Sequence, residues 1–294
     1  MSHLFAFGLG YSAQALADRL LADGWRVTGT CRSPQKAEAL AARGIEVLVF
    51  DPAAGAIPDL TALDAATHIV SSIAPDRDGD PVLNALSERL EVAKDIVWTA
   101  YLSTTGVYGD SGGDWVDESS PTHPTLDRAK RRVAAENAWM ARHAHHGHPV
   151  HIFRLAGIYG PGRSVFDTIK AGKARRIDRP GHLFGRIHVE DIATTLLASI
   201  ANPNPGAIYN VCDDKPAAPA DVTTHACALL GIDPPPLMSF EDAVRDMSAM
   251  GRTFWEDNRK VSNRRIRDEL KVMLRHPDYQ AGLRSIAEET GLID

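Results

Sequence analysis

A chain of 294 residues is long enough for one large domain or two small ones, and 44% apolar with 24% charged residues is the make-up of an ordinary globule with a sizeable core. The net charge of −6 argues against a nucleic-acid partner, since the short basic runs Lys130-Arg131-Arg132 and Asn263-Arg264-Arg265 both fall inside helical patterns. No apolar run approaches the roughly 18 residues of a membrane span, no secretory signal precedes the first strand, and Cys31, Cys212 and Cys227 have neither metal nor disulfide spacing, so a reduced, cytoplasmic protein is expected.

The first predicted strand, residues 3–7, runs into Gly8-Leu9-Gly10-Tyr11-Ser12-Ala13, after which Ala15, Leu16, Leu20 and Leu21 recur at helical spacing. Strand, glycine turn and helix in this order give a G-x-G-x-x-A pattern the meaning of a dinucleotide site. Gly8 permits the turn, Gly10 lets a pyrophosphate approach the backbone, and Ala13 lets the helix pack close on the strand. The amides near Tyr11 and Ser12 then face the phosphates. A second strand at 25–31 follows. At about 20 residues past the glycines an NAD-specific unit carries an acid for the ribose 2′-hydroxyl. Here stand Thr30, Cys31, Arg32 and Ser33, with no acid. A guanidinium suits a 2′-phosphate, so Arg32 and Ser33 favour NADP over NAD as the cofactor, the alternative being a solvated loop arginine.

Residues 34–42 read as a helix stopped by Gly44, and 46–50 as the third strand, ending at Asp51-Pro52. The Asp51 carboxylate either accepts from an adenine amino group or caps the turn before Pro52. A fourth strand at 67–73 presents its C-terminal end, with Ser71 and Ser72, toward the cofactor. An amphipathic helix at 81–95, with Leu83, Leu86, Leu90 and Val92, leads to a fifth strand at 98–103. Such regular alternation predicts an α/β fold with a doubly wound parallel sheet of the Rossmann type. The histidines at 143, 145, 146 and 148 surround Gly147 and read as the C-terminal end of a helix starting near Arg128, not as a metal site. A sixth strand is expected at 149–155, a short helix at 165–174, a helix at 192–200 with Asp191 as its N-cap, and a strand at 207–211. A helix at 222–230 has Asp221 as its N-cap, and the tail at 240–294 reads as mainly helical with a polar stretch at 251–258. No G-x-S-x-G or H-E-x-x-H motif suggests a hydrolase.

Four segments beyond periodicity carry a family likeness: the glycine turn, Ser103-Thr104-Thr105-Gly106-Val107-Tyr108-Gly109, Arg154-Leu155-Ala156-Gly157-Ile158-Tyr159-Gly160-Pro161-Gly162, and Arg186-Ile187-His188-Val189-Glu190-Asp191-Ile192-Ala193, with Ile208-Tyr209-Asn210-Val211 a weaker fifth. In this order they resemble the extended short-chain dehydrogenase/reductase family, the nucleotide-sugar epimerases and dehydratases. The resemblance implies an NAD(P)-binding Rossmann domain over 1–160, completed by about 186–212, and a smaller α/β substrate lobe from 161–185 and 213–294. It also implies that Ser103 and Ile158 lie near the cofactor, that Thr104 contacts the substrate oxygen, and that His188 to Asp191 is architectural. Relatives use basic residues in the region of Lys173, Arg175, Arg176, Arg179 and Arg186 for nucleotide-sugar diphosphates; a solvated basic loop is the alternative reading.

The family's proton donor is the Tyr of a Y-x-x-x-K pair, whose Lys holds the nicotinamide ribose. None of the 6 tyrosines here has a Lys four residues later. Anchoring on Glu136, the acid that follows the Lys in the family, puts Arg132 at the Lys position and Arg128 at the Tyr position; a slip of two gives Lys130 and Leu126. Arg132 can still hold ribose hydroxyls but cannot give up a proton near neutral pH. Tyr108, Tyr159, Asp110, Glu118 and His123 are the candidate replacement acids. The chain is therefore expected to be an atypical member: an NADP-dependent oxidoreductase or epimerase acting on a sugar, nucleotide sugar or other carbonyl compound, or else a redox-inert NADP sensor. The resemblance is compatible with a homodimer.

Overall fold

His3–Phe7 is buried without a break, as a central parallel strand covered on both faces must be. It forms β1 of a computed structural model that describes residues 2–93 and 95–293. In chain order follow α1 (Tyr11–Ala22), β2 (Arg26–Cys31), α2 (Pro34–Ala41), β3 (Glu46–Val49), α3 (Thr61–Asp64), β4 (His68–Ser71), α4 (Pro81–Val92) and β5 (Trp98–Thr104). Then come β6 (Trp115–Val116), α5 (Asp127–His146), β7 (Val150–Leu155), β8 (Gly157–Tyr159), α6 (Val165–Lys170), β9 (Arg176–Asp178), β10 (Arg186–His188), α7 (Val189–Ala201), β11 (Ile208–Val211) and α8 (Pro219–Leu229). The tail adds β12 (Leu237–Ser239), α9 (Phe240–Arg245), α10 (Ala249–Thr253), β13 (Lys260–Val261), α11 (Arg264–Asp268) and α12 (Tyr279–Glu289).

The 7-stranded parallel sheet has the order β11-β7-β5-β4-β1-β2-β3. The strand order runs outward from β1 in both directions, so the topological switch point lies between β1 and β4, where doubly wound sheets bind their ligands. The expected Rossmann architecture is present. Lys94, within the predicted 81–95 helix, lies outside the described residues, and α4 ends at Val92. Among the described residues no helix is long and apolar enough to cross a membrane.

Two compact units divide the chain. The first comprises 1–104, 127–154 and 192–209. Its core gathers Phe5, Phe7, Phe50, Ile69, Tyr101, Trp139 and Ile152. Trp139 donates its indole N–H to Asp80 at 3.1 Å, and the same carboxylate caps α4 through the amides of Val82 and Leu83. The histidine run ends α5 as expected: Gly147 has φ +68, His143 Nδ1 lies 2.9 Å from the His148 carbonyl, and His148 Nε2 meets Thr99 Oγ1 at 3.0 Å.

The second unit comprises 105–126, 155–191 and 210–294. Its beginning at 105 differs from the 160/161 division read from the sequence, and pairing explains why. β6 pairs with β13, and β8 pairs with β10, so both early segments are claimed by partners later in the chain. Its core centres on Tyr159, Phe166, Val222, Ala226, Tyr279, Leu283 and Ile286. A side chain at Gly282 would overlap the Tyr159 hydroxyl. Gly282→Ala is therefore expected to lower stability by about 2 kcal/mol through overpacking, read as a fall in urea midpoint at unchanged slope.

Several local expectations are corrected. Asp191 is not the N-cap of its helix, because α7 already begins at Val189; its carboxylate instead accepts the backbone N–H groups of Arg275 and His276, at 2.8 and 3.0 Å. Asp221 lies inside the first turn of α8, whose N-cap is Ala218, since Pro219 starts the helix earlier. Asp51 makes no capping bond to the turn at Pro52. Its backbone pairs both ways with Ala56. The tail is less helical than expected: α9, α10 and α11 have 6, 5 and 5 residues, separated by loops and by β13.

Candidate active site: a dinucleotide cradle and its surroundings

The glycine turn after β1 is held from both sides. The Gly8 N–H donates to Thr30 Oγ1 at 2.9 Å, and the Ser72 hydroxyl donates to the Gly8 carbonyl. Gly8 has φ +84, and a Cβ there would lie 2.9 Å from Ile73 Cγ1, so only glycine fits. Gly29 is required for a related reason: a side chain would overlap Leu9, which packs on it. Gly10 is different. Its φ is −80, and a Cβ would meet nothing closer than Ser72 Oγ at 3.8 Å. The fold does not demand glycine there, and the space above it stays open. No side chain caps α1 and no acid occupies its first turn, so its positive end is left for an anion. Ser12 and Ala13 are buried in that turn.

The structure thus brings Gly8, Gly10, Tyr11, Ser12, Ala13 and Ser72 to one place, with Ser71 buried at the end of β4 and its hydroxyl unpaired among the described residues. Arg32 is exposed at the end of β2. The Ser33 hydroxyl accepts the Lys36 N–H at 3.3 Å as the N-cap of α2, a role additional to the one expected from the sequence.

On α5, positions 128, 132 and 136 share one face by their spacing. Glu136 and Arg154 are buried. Arg154 donates through Nε and Nη2 to the two carboxylate oxygens, the shortest contact being 2.7 Å. The Ser103 hydroxyl also donates to Glu136, so Ser103 keeps only its lone pairs for any other partner. One turn earlier, Arg132 Nη1 donates to Tyr101 Oη at 2.9 Å and to the Leu102 carbonyl at 3.1 Å. Its guanidinium is thereby fixed against β5, at whose end Thr104 lies half-buried. Burial pushes the Tyr101 phenol above the usual range, with Arg132 pulling the other way.

The candidate replacement acids lie in the second unit, where all but His123 take part in hydrogen bonds that hold its segments together. Tyr108 is buried and donates to Asn210 Oδ1 at 2.8 Å. Glu118 accepts the Asn210 N–H at 2.7 Å, and burial raises its carboxyl. Asp110 accepts the N–H groups of Asn258 and Gly112, which hold it below the usual carboxylate range. Tyr159 is pushed upward by burial, with its hydroxyl 3.4 Å from the Asp278 carbonyl. His123 is exposed, and Ile158 is paired with Ile187 in the β8–β10 ladder.

The second unit also holds a cavity of about 270 Å³ lined by Tyr159, Arg163, Ser164, Thr168, Arg186 and Tyr279, among others. Arg186 donates to the Phe184 and Ala217 carbonyls at 3.0 Å each. Next to it is Asp213, whose backbone N–H donates to the Arg186 carbonyl. Asp213 is 3% exposed, both its carboxylate oxygens lack partners among the described residues, and burial pushes it up to about 8. Of the other basic residues, Arg176 serves the Pro235 carbonyl. Arg179 bonds the Trp255 carbonyl and covers the Phe240 ring. Lys173 and Arg175 are exposed. Sequence reasoning missed Asp213, Tyr279 and Gly29, for none of which a local motif exists.

Comparison with known proteins gives the family and the fold. The model of the NAD dependent epimerase/dehydratase family matches residues 81–212. Protein YeeZ of Escherichia coli (strain K12) is 30% identical over 288 residues, 95% of this chain and 97% of that protein. The chain belongs to the NAD dependent epimerase/dehydratase family. A functionally unknown conserved protein from Silicibacter pomeroyi DSS superposes with a TM-score of 0.90 at 46% identity, covering 99% of each chain. The dTDP-glucose 4,6-dehydratase from Bacillus anthracis str. Ames, solved in complex with NAD, superposes with a TM-score of 0.78 over 99% of this chain and 97% of its own, at 14% identity, a likeness of fold. The likeness to epimerases and dehydratases read from the sequence therefore holds at the level of family and fold.

Proposed function

We propose that this chain binds NADP at the head of α1 and acts as an oxidoreductase or epimerase on a sugar, nucleotide sugar or other carbonyl compound. The observation that carries the reading is the contrast between the two glycines: Gly8 is demanded by the turn, whereas Gly10 keeps space that the fold itself does not need. That space adjoins an uncapped helix start without acids, and the residues fit a dinucleotide diphosphate. A bound nicotinamide supplies hydride transfer. The chain's own groups do the rest. The amides at Tyr11 and Ser12 bind the diphosphate, and the Ser71 and Ser72 region borders it. Arg32 takes the 2′-phosphate, Thr104 orients the substrate oxygen, and Arg132 holds the ribose with a permanent positive charge. A cytoplasmic location and a homodimer are compatible with this reading.

Arg32→Ala is expected to weaken NADPH binding about tenfold, the loss of one charge-assisted contact, and to leave NADH binding unchanged, by calorimetry. Turnover is tested by following oxidation of NADPH with a panel of carbonyl compounds and nucleotide sugars. Oxidation with any of them supports the reading; binding without oxidation across the panel refutes it. A redox-inert NADP sensor is favoured by one observation, that none of the 6 tyrosines in the chain is followed four residues later by a lysine. It requires a large affinity difference between NADP and NADPH, because a pair of equally bound ligands shifts no equilibrium.

A further inference from the structure

The backbone of the glycine turn can be accounted for group by group. The Gly8 N–H donates to Thr30 Oγ1 at 2.9 Å, and the Leu9 N–H donates to the Thr30 carbonyl at 2.7 Å. The Gly8 carbonyl accepts from the Gly10 N–H at 2.7 Å and from the Ser72 hydroxyl. The Leu9 carbonyl accepts from Gln14 Nε2, and the Gly10 carbonyl from the Gln14 N–H, both at 3.0 Å. Every backbone N–H and C=O of residues 8–10 therefore has a partner inside the first unit. The next amides along the chain belong to the first turn of α1, where a helix offers no acceptor of its own. Two residues carry most of this pattern. Thr30, 0% exposed on β2, takes two consecutive amides, one with its side chain and one with its carbonyl. Gln14, partly buried on α1, takes two consecutive carbonyls, one with its side chain and one with its N–H. Its Oε1 is held in turn by Arg43 Nη1.

We propose that Thr30 and Gln14 are positioning residues for the dinucleotide diphosphate, acting through the turn; the inference rests on the reading of the α1 head as the diphosphate site. By using up the turn's own donors and acceptors they hold residues 8–10 in one conformation, and the first amides of α1 are the donors left on offer. Thr30 has a second consequence. It stands two residues before Arg32 at the end of the same strand. The strand that seats the turn thus also carries the guanidinium assigned to the 2′-phosphate, and one rigid element sets the spacing between the two anionic groups. Without the Thr30 hydroxyl the Gly8 N–H loses its acceptor, and a polar group left unpaired in the interior seeks another arrangement. If the turn then spends about a tenth of its time in the binding conformation, affinity falls about tenfold, because the apparent dissociation constant rises as the competent fraction shrinks.

The test is calorimetric titration of the full chain and its variants with NADPH and with NADH, well below the Tm of each protein. Thr30→Val puts a methyl in place of the hydroxyl and should bind both dinucleotides about tenfold more weakly. Thr30→Ser keeps the acceptor and should stay within about twofold of the wild type. Equal loss for the two dinucleotides separates this role from that of Arg32, whose removal affects NADPH alone. A hydroxyl that served stability only would lower Tm and leave both affinities unchanged, since the folded fraction is close to one at the temperature of titration. If Thr30→Val does not fold, Gln14→Leu, altered at a partly exposed position, carries the test and should bind both about threefold more weakly. With a wild type that binds, unchanged affinity in Thr30→Val or in Gln14→Leu overturns the inference and leaves the α1 site standing. So does a Thr30→Ser chain as weak as Thr30→Val. A wild type that binds neither dinucleotide refutes the α1 site itself, and the inference falls with it.

Discussion

Glu136→Ala is expected to cost about 3–5 kcal/mol of stability, the usual penalty for stranding one member of a buried ion pair. Glu136 and Arg154 have side chains only 4% and 5% exposed, at 2.7 Å from one another. Removing the carboxylate leaves a guanidinium in the core between β7 and α5 and strips the Ser103 hydroxyl of its acceptor. The loss should appear as a lower urea midpoint without a change in slope. Glu136→Gln keeps the shape and one acceptor oxygen and should lose less. A change below about 1 kcal/mol in the alanine variant would mean that the pair does not organise this part of the first unit.

Asp213→Asn is expected to stabilise the protein at pH 8 and to flatten its stability profile below that pH. The folded carboxyl is pushed up to about 8 by burial, against 3.8 for the ordinary group. Below about pH 4 both folded and unfolded chains hold the proton. Between about 4 and 8 the folded chain keeps it and the unfolded chain does not, so stability falls by about 1.4 kcal/mol per pH unit. Above 8 both are ionised, and no further loss accrues. The interval, in which the Arg186 charge already opposes burial, corresponds to a limiting effect on the order of 5 kcal/mol, which relaxation of the folded chain will reduce. Asparagine is neutral throughout and removes the slope. Denaturation of both proteins at several pH values between 4.5 and 8.5 checks it: parallel profiles would contradict a neutral Asp213.

The parts of this molecule legible in the sequence are those where cause and residue are neighbours. The Gly8–Gly10 turn follows a buried strand and opens a helix with a regular apolar face, so both fold and ligand can be read there. The sheet followed from strands and helices alternating through Thr104. The end of α5 at Gly147 was equally local. What escaped was set by distant partners. Asp191 resembles an N-cap, yet its carboxylate answers backbone amides more than 80 residues away. Asp221 was misplaced because Pro219 starts the helix before it. Ser33 also accepts the Lys36 N–H as the N-cap of α2, a helix start that the strand-end reading did not register. Asp213 lay in a loop with no pattern, and only the packing around Arg186 reveals its burial.

Calorimetric titration of the chain and its Gly10→Val variant with NADPH tests the central claim most directly. A Cβ at Gly10 meets only ordinary contacts and an ordinary φ, so the variant should fold with a Tm near that of the wild type. The added side chain should nonetheless fill the space required by the diphosphate. The account expects one dinucleotide per wild-type chain and at least a hundredfold loss of affinity in the variant. Equal binding by both proteins, or no binding by the wild type to either NADPH or NADH, would contradict it.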